Sequence, residues 1–125
     1  MIEFILYVSD QDASRRFYQA ILEQEPVLDV PGMTEFLLSE DCKLGLMPNH
    51  GIAKILGDRL PHPDQAVGIP RSELYLYVDH VGERYNQAIQ AGAKAINPVC
   101  ERDWGDIVGY VADQDGHIIA FAEKK

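Results

Sequence analysis

At 125 residues the chain has the size of one domain, long enough to bury a core without disulfide or metal staples. Its 46% hydrophobic and 25% charged residues are those of a globular protein and exclude a disordered or fibrous chain. The formal charge of -9 argues against a nucleic-acid partner, because affinity for a phosphate backbone comes from Lys and Arg displacing condensed counterions.

Glu3 to Ser9 alternate, with Phe4, Leu6 and Val8 on one face and Glu3, Ile5 and Tyr7 on the other, which predicts a strand. Ser9-Asp10 offers an N-cap, and Ala13, Phe17, Ala20 and Ile21 recur at helical spacing as far as Leu22, so a helix follows. Beyond Pro26, apolar runs at 27–30, 34–39 and 43–47 are separated by Pro31-Gly32 and Glu40-Asp41, the turn signals of a three-stranded meander. Pro48, Pro61, Pro63 and Pro70 then punctuate a stretch without a clean period. This predicts a long connection with at most a helical turn at Ile52 to Leu56.

The second half repeats the first. Leu74, Leu76 and Val78 alternate with Glu73, Tyr75 and Tyr77, and Leu76-Tyr77-Val78 restates Leu6-Tyr7-Val8. A helix carried by Val81, Tyr85, Ala88 and Ile89 and stopped by Gly92 restates Gln19-Ala20-Ile21 as Gln87-Ala88-Ile89. Strands at 94–99, 107–112 and 117–123 complete the copy, with Asp113-Gln114-Asp115-Gly116 as the turn before the last. The sequence therefore predicts one α+β domain over 1–125, made of two βαβββ modules. Module 1 runs over about 1–48, a connection over 49–72 and module 2 over about 73–125.

Cys42 and Cys100 fall in separate strand-like segments without metal or redox spacing and read as small buried hydrophobes. No apolar run approaches bilayer length and no basic leader opens the chain, so the expectation is a cytoplasmic protein of bacterial type with no membrane partner. His50 and His62 lie in the connection, His80 at a helix start and His117 after a turn. Each reads as a surface or turn histidine, none being spaced as a ligand pair.

The duplicated pattern resembles the vicinal oxygen chelate superfamily, which includes glyoxalases, bleomycin-resistance proteins and dioxygenases. The most specific marks are LYLYVDHVGERYNQAIQAGAKAINPVCERDWGD and the closing YVADQDGHIIAFAE, where Gln114 stands in place of the usual Pro. The resemblance implies a curved, incomplete mixed β-barrel with helices on its convex face, and a homodimer. Phe4, Leu6 and Val8 would then pack on helices, while Glu3, Ile5, Tyr7, Glu73, Tyr75 and Tyr77 face a cavity.

Metal-dependent members resembling glyoxalase I have ligands at positions that correspond here to Glu3, Gly45, Glu73 and Ala120. Gly45 and Ala120 cannot ligate a metal, whereas transition metals usually take three or four protein ligands with imidazole or thiolate prominent. The resemblance thus implies a small-molecule binding protein that needs no metal or other cofactor, whose ligand is a cationic or aromatic compound such as an antibiotic. Tyr7, Tyr75, Tyr77 and Trp104 would line its cavity. Glu3 and Glu73 are candidates for an acid/base pair, for an anchor of a cationic group, or for ordinary rim residues. The rival expectation is a metal-dependent lyase, isomerase or dioxygenase whose divalent ion is held by Glu3, Glu73 and a loop histidine, His50 or His62.

Overall fold

The computed structural model describes every residue from Met1 to Lys125. The chain folds as two compact units, Met1–Val67 and Gly68–Lys125. The first contains β1 (Ile2–Val8), α1 (Gln11–Leu22), β2 (Leu28–Val30), β3 (Met33–Ser39), β4 (Cys42–Pro48) and α2 (Asn49–Leu56). The second contains β5 (Glu73–Tyr77), α3 (Val81–Gln90), β6 (Lys94–Glu101), β7 (Asp106–Ala112) and β8 (Ile118–Lys124). Each unit holds one four-stranded mixed sheet, ordered β1-β4-β3-β2 and β5-β8-β7-β6. In both, the first strand runs parallel to the last and the remaining pairings are antiparallel. The βαβββ duplication is thus present in element order and in pairing.

The local signals act as expected at most ends. Asp10 caps α1, its carboxylate accepting from the Ala13 amide at 3.0 Å. Gly92, at φ 109°, stops the chain after α3. Asp113 Oδ1 accepts from the Asp115 and His117 amides, both at 2.9 Å, and closes the turn into β8.

Each sheet buries one face against its helix. In the first unit Val8, Leu44, Leu46 and Phe36 lie on the face that meets Tyr18 and Ile21 of α1, and all are essentially inaccessible. In the second, Val111, Ile119 and Phe121 take the same role beneath α3. Gly109 is part of this packing: a Cβ there would sit 2.6 Å from the Tyr85 ring and from Val99 Cγ2, so the bare backbone lets Tyr85 lie directly on β7.

Several expectations are corrected. The buried stripe of α1 is Ser14, Tyr18 and Ile21, one position round from Ala13, Phe17 and Ala20. Tyr18 turns inward with Phe17 edge-on beside it, the ring centroids 5.1 Å apart. Phe4 has the parity of the core face but is 64% exposed, because it lies near the start of edge strand β1 while the buried end of that strand is Val8. Cys42 is half-buried and Cys100 is exposed on edge strand β6, so neither is a core hydrophobe. The connection carries more structure than a single helical turn. α2 starts at Asn49, and a 3-10 helix at Pro63–Ala66 is capped by His62 Nδ1, which accepts from the Asp64 amide at 3.1 Å.

Candidate functional site

The face of each sheet turned away from its helix carries the polar chemistry, and strand register decides what meets there. In the second unit Tyr75 pairs with Ala120 and Ala120 with Tyr110, while Tyr77 pairs with Ala122, Ala122 with Val108, and Lys124 with Asp106. Val108, Ala120 and Ala122 form a fully buried floor against which Tyr75 and Tyr110 pack. Small residues on β8 leave room for rings carried by the strands on either side.

One hydrogen-bonded chain crosses this floor. The Tyr75 hydroxyl donates to Asp106 Oδ2 at 2.6 Å and the Tyr77 hydroxyl donates to the same oxygen at 2.9 Å. Trp104 Nε1 donates to the Tyr75 hydroxyl at 2.9 Å. The Tyr75 and Tyr77 rings meet edge-on, centroids 5.3 Å apart. The two hydroxyls that donate to Asp106 hold its carboxyl below the usual carboxylate range, Tyr75 contributing most and the charge of Lys124 adding to it. Burial, and then the bond to Asp106, push the Tyr75 phenol up, so it stays a donor. Trp104 stands 58% exposed on the turn before β7, where Gly105 takes φ 96°. It reaches the sheet through its indole nitrogen.

Two cations lie on aromatic faces here. Arg102 sits 5.2 Å from the Tyr110 ring centroid, and Lys124 Nζ sits 4.7 Å from that of Tyr77. At the far end of the sheet, Gly68, Pro70, Lys94, Ile96, Ala112 and Ile118 border a cleft of about 420 Å³. The tyrosines do not line this cleft; their rings and the floor beneath them form an aromatic platform.

The matching face of the first unit is built differently. Glu3 pairs with Lys43, Ile5 with Gly45, and Gly45 with Glu35. Glu3 folds its carboxyl over Gly45, where an added Cβ would lie 2.5 Å from Oε2. That oxygen is buried without a hydrogen-bond donor. Burial, followed by the neighbouring Glu35 carboxylate, raises the Glu3 pKa against the opposing pull of Lys43. Glu35 itself is held by Lys43 Nζ at 3.3 Å. Protonated Glu3 has an acceptor in Glu35; ionised Glu3 meets a second anion there, which Lys43 offsets only in part.

Of the residues singled out by sequence, Tyr75, Tyr77 and Trp104 come together, whereas Tyr7 and Glu3 belong to the first unit. Glu73 is exposed at the start of β5, beside Ile118 in the ladder. Sequence reasoning missed Asp106, Lys124, Glu35 and Lys43. Asp106 shares the alternation of Val108 and Tyr110, a signal that was present but belongs to a strand start, where Asp ordinarily reads as turn chemistry. His117 is corrected from a surface or turn residue to a buried one, its Nδ1 2.9 Å from Ser72 Oγ.

The sequence relationships agree with this architecture. A model of the glyoxalase-like domain matches residues 1–124. The chain belongs to the glyoxalase-like domain family. Its curated relatives include an uncharacterised protein of Mycobacterium bovis, 27% identical over 90% of this chain and 75% of that protein. Another is an uncharacterised protein of Mycobacterium tuberculosis, 27% identical over 90% and 67%. Among solved structures, a glyoxalase-related enzyme from Fulvimarina pelagi superposes with a TM-score of 0.84 at 23% identity, covering 99% of this chain and 87% of that one. A glyoxalase/bleomycin resistance protein/dioxygenase family enzyme from Burkholderia phytofirmans gives 0.79 at 16%, covering 98% and 97%. These likenesses carry the fold, the vicinal oxygen chelate architecture, and leave chemistry to the residues.

Metal-dependent members of this superfamily imply a divalent ion, and the residues at the corresponding positions do not fit one. Gly45 and Ala120 bring no donor atom, and Ala120 is fully buried in the floor. Glu3 shares its face with the Lys43 ammonium, a competing cation, and is itself shifted toward the neutral acid. No group of three or more His, Cys, Asp and Glu side chains is arranged to hold a metal ion. No helix is long and apolar enough to cross a membrane.

Proposed function

We propose that this glyoxalase-like chain binds a small organic molecule on the tyrosine platform of its second unit without using a metal, and acts by holding that molecule. The observation that carries the reading is the hydrogen-bonded chain Trp104–Tyr75–Asp106–Tyr77. A buried carboxylate fixes two phenols in one direction and an indole is tied to one of them, so rings and polar tips are oriented before any ligand arrives. Aromatic faces over an apolar floor, with a few convergent polar groups, suit a cationic or aromatic compound of the kind an antibiotic represents. We further propose that the chain works as a homodimer, as the resemblance implies, with light scattering as the check.

A thermal-shift and calorimetric screen of aromatic and cationic compounds tests the reading. Binders are expected, and Tyr75→Phe, which removes both the donor to Asp106 and the acceptor for Trp104, should weaken them about tenfold, within the range for two lost hydrogen bonds of modest net value. Failure of every compound to stabilise the protein would overturn it.

The Glu3–Glu35 pair favours a second reading, an enzyme that transfers a proton through a carboxyl whose pKa is raised by burial and by its neighbouring carboxylate. The metal-dependent lyase, isomerase or dioxygenase would need its ion from Glu3, Glu73 and His50 or His62. Stoichiometric nickel, zinc, manganese or iron in protein purified without chelator, lost in both Glu3→Ala and Glu73→Ala, would replace the binding reading with that one.

A further inference from the structure

We propose that Lys124 is a built-in occupant of a cation seat on the Tyr77 ring beside Asp106, and that the site takes a cationic aromatic compound that displaces it. This rests on the binding reading above and names the class of ligand for the same platform.

The two cations on the platform are held in opposite ways. Arg102 lies over Tyr110, and its guanidinium also donates to Asn97 Oδ1, the Pro98 carbonyl and the Val108 carbonyl at 2.8–3.2 Å. It is a fixed part of the β6–β7 junction. Lys124 is the last residue of β8 and exposed, and its ammonium is held by the face of Tyr77 and the field of Asp106. Tyr77 is itself 56% exposed, so this ring can be reached from solvent once the lysine swings away.

Asp106 supplies the reason for a cation to sit there at all. Its carboxylate is buried, and the two hydroxyls it accepts are neutral, so they stabilise its charge without cancelling it. The Lys124 backbone pairs with Asp106 in the ladder, which keeps the ammonium on that face. With the lysine displaced, an anion and an open ring face lie side by side, the combination that attracts an organic cation. An ammonium is compact and strongly hydrated, so a guanidinium or quaternary ammonium, which sheds water more easily, is favoured in the exchange. A carboxylate ligand would meet Asp106 and the overall charge of -9.

Trp104 is the sole tryptophan and is bonded to Tyr75, so its fluorescence reports directly on the platform. The experiment titrates wild-type protein with benzyltrimethylammonium, benzyl alcohol and benzoate, and repeats the series with Lys124→Met and Lys125→Met. Lys125 carries the same charge but pairs with Glu101, away from the platform. The expected result is that the cation binds about tenfold tighter than the alcohol and that benzoate fails to bind. Lys124→Met should tighten the cation about threefold or more and leave the alcohol unchanged, and Lys125→Met should change neither. Asp106→Asn, checked for folding by circular dichroism, should erase the preference for the cation. An alcohol that binds as well as the cation, or a Lys124→Met variant that fails to tighten the cation, would overturn the displacement idea and leave the binding reading standing. Absence of binding by all three probes would overturn both.

Discussion

Where the first strand of each unit meets the last, the first unit sets Ile5 beside Gly45 and Glu35, and the second sets Tyr75 beside Ala120 and Tyr110. The backbone pairings correspond; the side chains do not. A carboxyl folds into the space left by Gly45 in one unit, and phenols lie over a floor of alanine and valine in the other. A duplicated ladder fixes which positions share a face but not what stands on them, so the two halves of one chain can hold opposite electrostatics. One face raises a carboxyl pKa by burial and a like charge, and the other lowers one through two donated hydrogen bonds.

The helix-side cores should break alike. Leu46 and Phe121 hold matching, fully buried places. Leu46→Ala should cost about 2–5 kcal/mol and Phe121→Ala about 3–5 kcal/mol in urea unfolding, the usual penalty for an emptied core site. A loss well below 1 kcal/mol in only one of them would mean that the duplication does not extend to energetics.

The two strand glycines should differ. Gly109→Ala drives a methyl into the Tyr85 ring and Val99 and should cost about 1–3 kcal/mol, as overpacking does. Gly45→Ala meets chiefly the movable end of Glu3, so its cost should be the smaller, with the carboxyl pushed toward solvent.

Smallest, and most telling about the faces, is the pair Glu3→Gln and Glu73→Gln. At pH 7 Glu3→Gln should stabilise by about 1 kcal/mol, because the amide donates to Glu35 without a buried charge. Glu73→Gln, on an exposed side chain, should stay within about 0.5 kcal/mol. The pH profile gives the sign. The Glu3 pKa is raised in the fold, so its favourable contribution is complete below its ordinary value of 4.5 and is lost as pH rises through the folded value. The gain from Glu3→Gln should therefore shrink on acidification. For Asp106, depressed in the fold, stabilisation is present above its ordinary 3.8 and is lost as pH falls through the folded value.

Much of this was legible in the sequence, through particular residues. The alternation of Leu6 and Val8, repeated by Leu74 and Leu76, set strand parity. Asp10, Gly92 and the turn at 113–116 set element ends, and the repeated Leu-Tyr-Val set the duplication. These are local properties, read from dihedral preference and side-chain period alone. Tyr75 and Tyr77 were assigned to one face for the same reason. Their partner Asp106 was out of reach, because it lies 31 residues from Tyr75 in sequence and becomes adjacent only through the β5–β8–β7 register. Nor could sequence separate the Tyr77 ring, left with a loosely held lysine, from the Tyr110 ring beneath a locked arginine. Pattern determined which residues share a face. Pairing between strands distant in sequence decided which charges touch, since hydrogen bonds and electrostatic fields act over a few ångströms of space and take no account of separation along the chain.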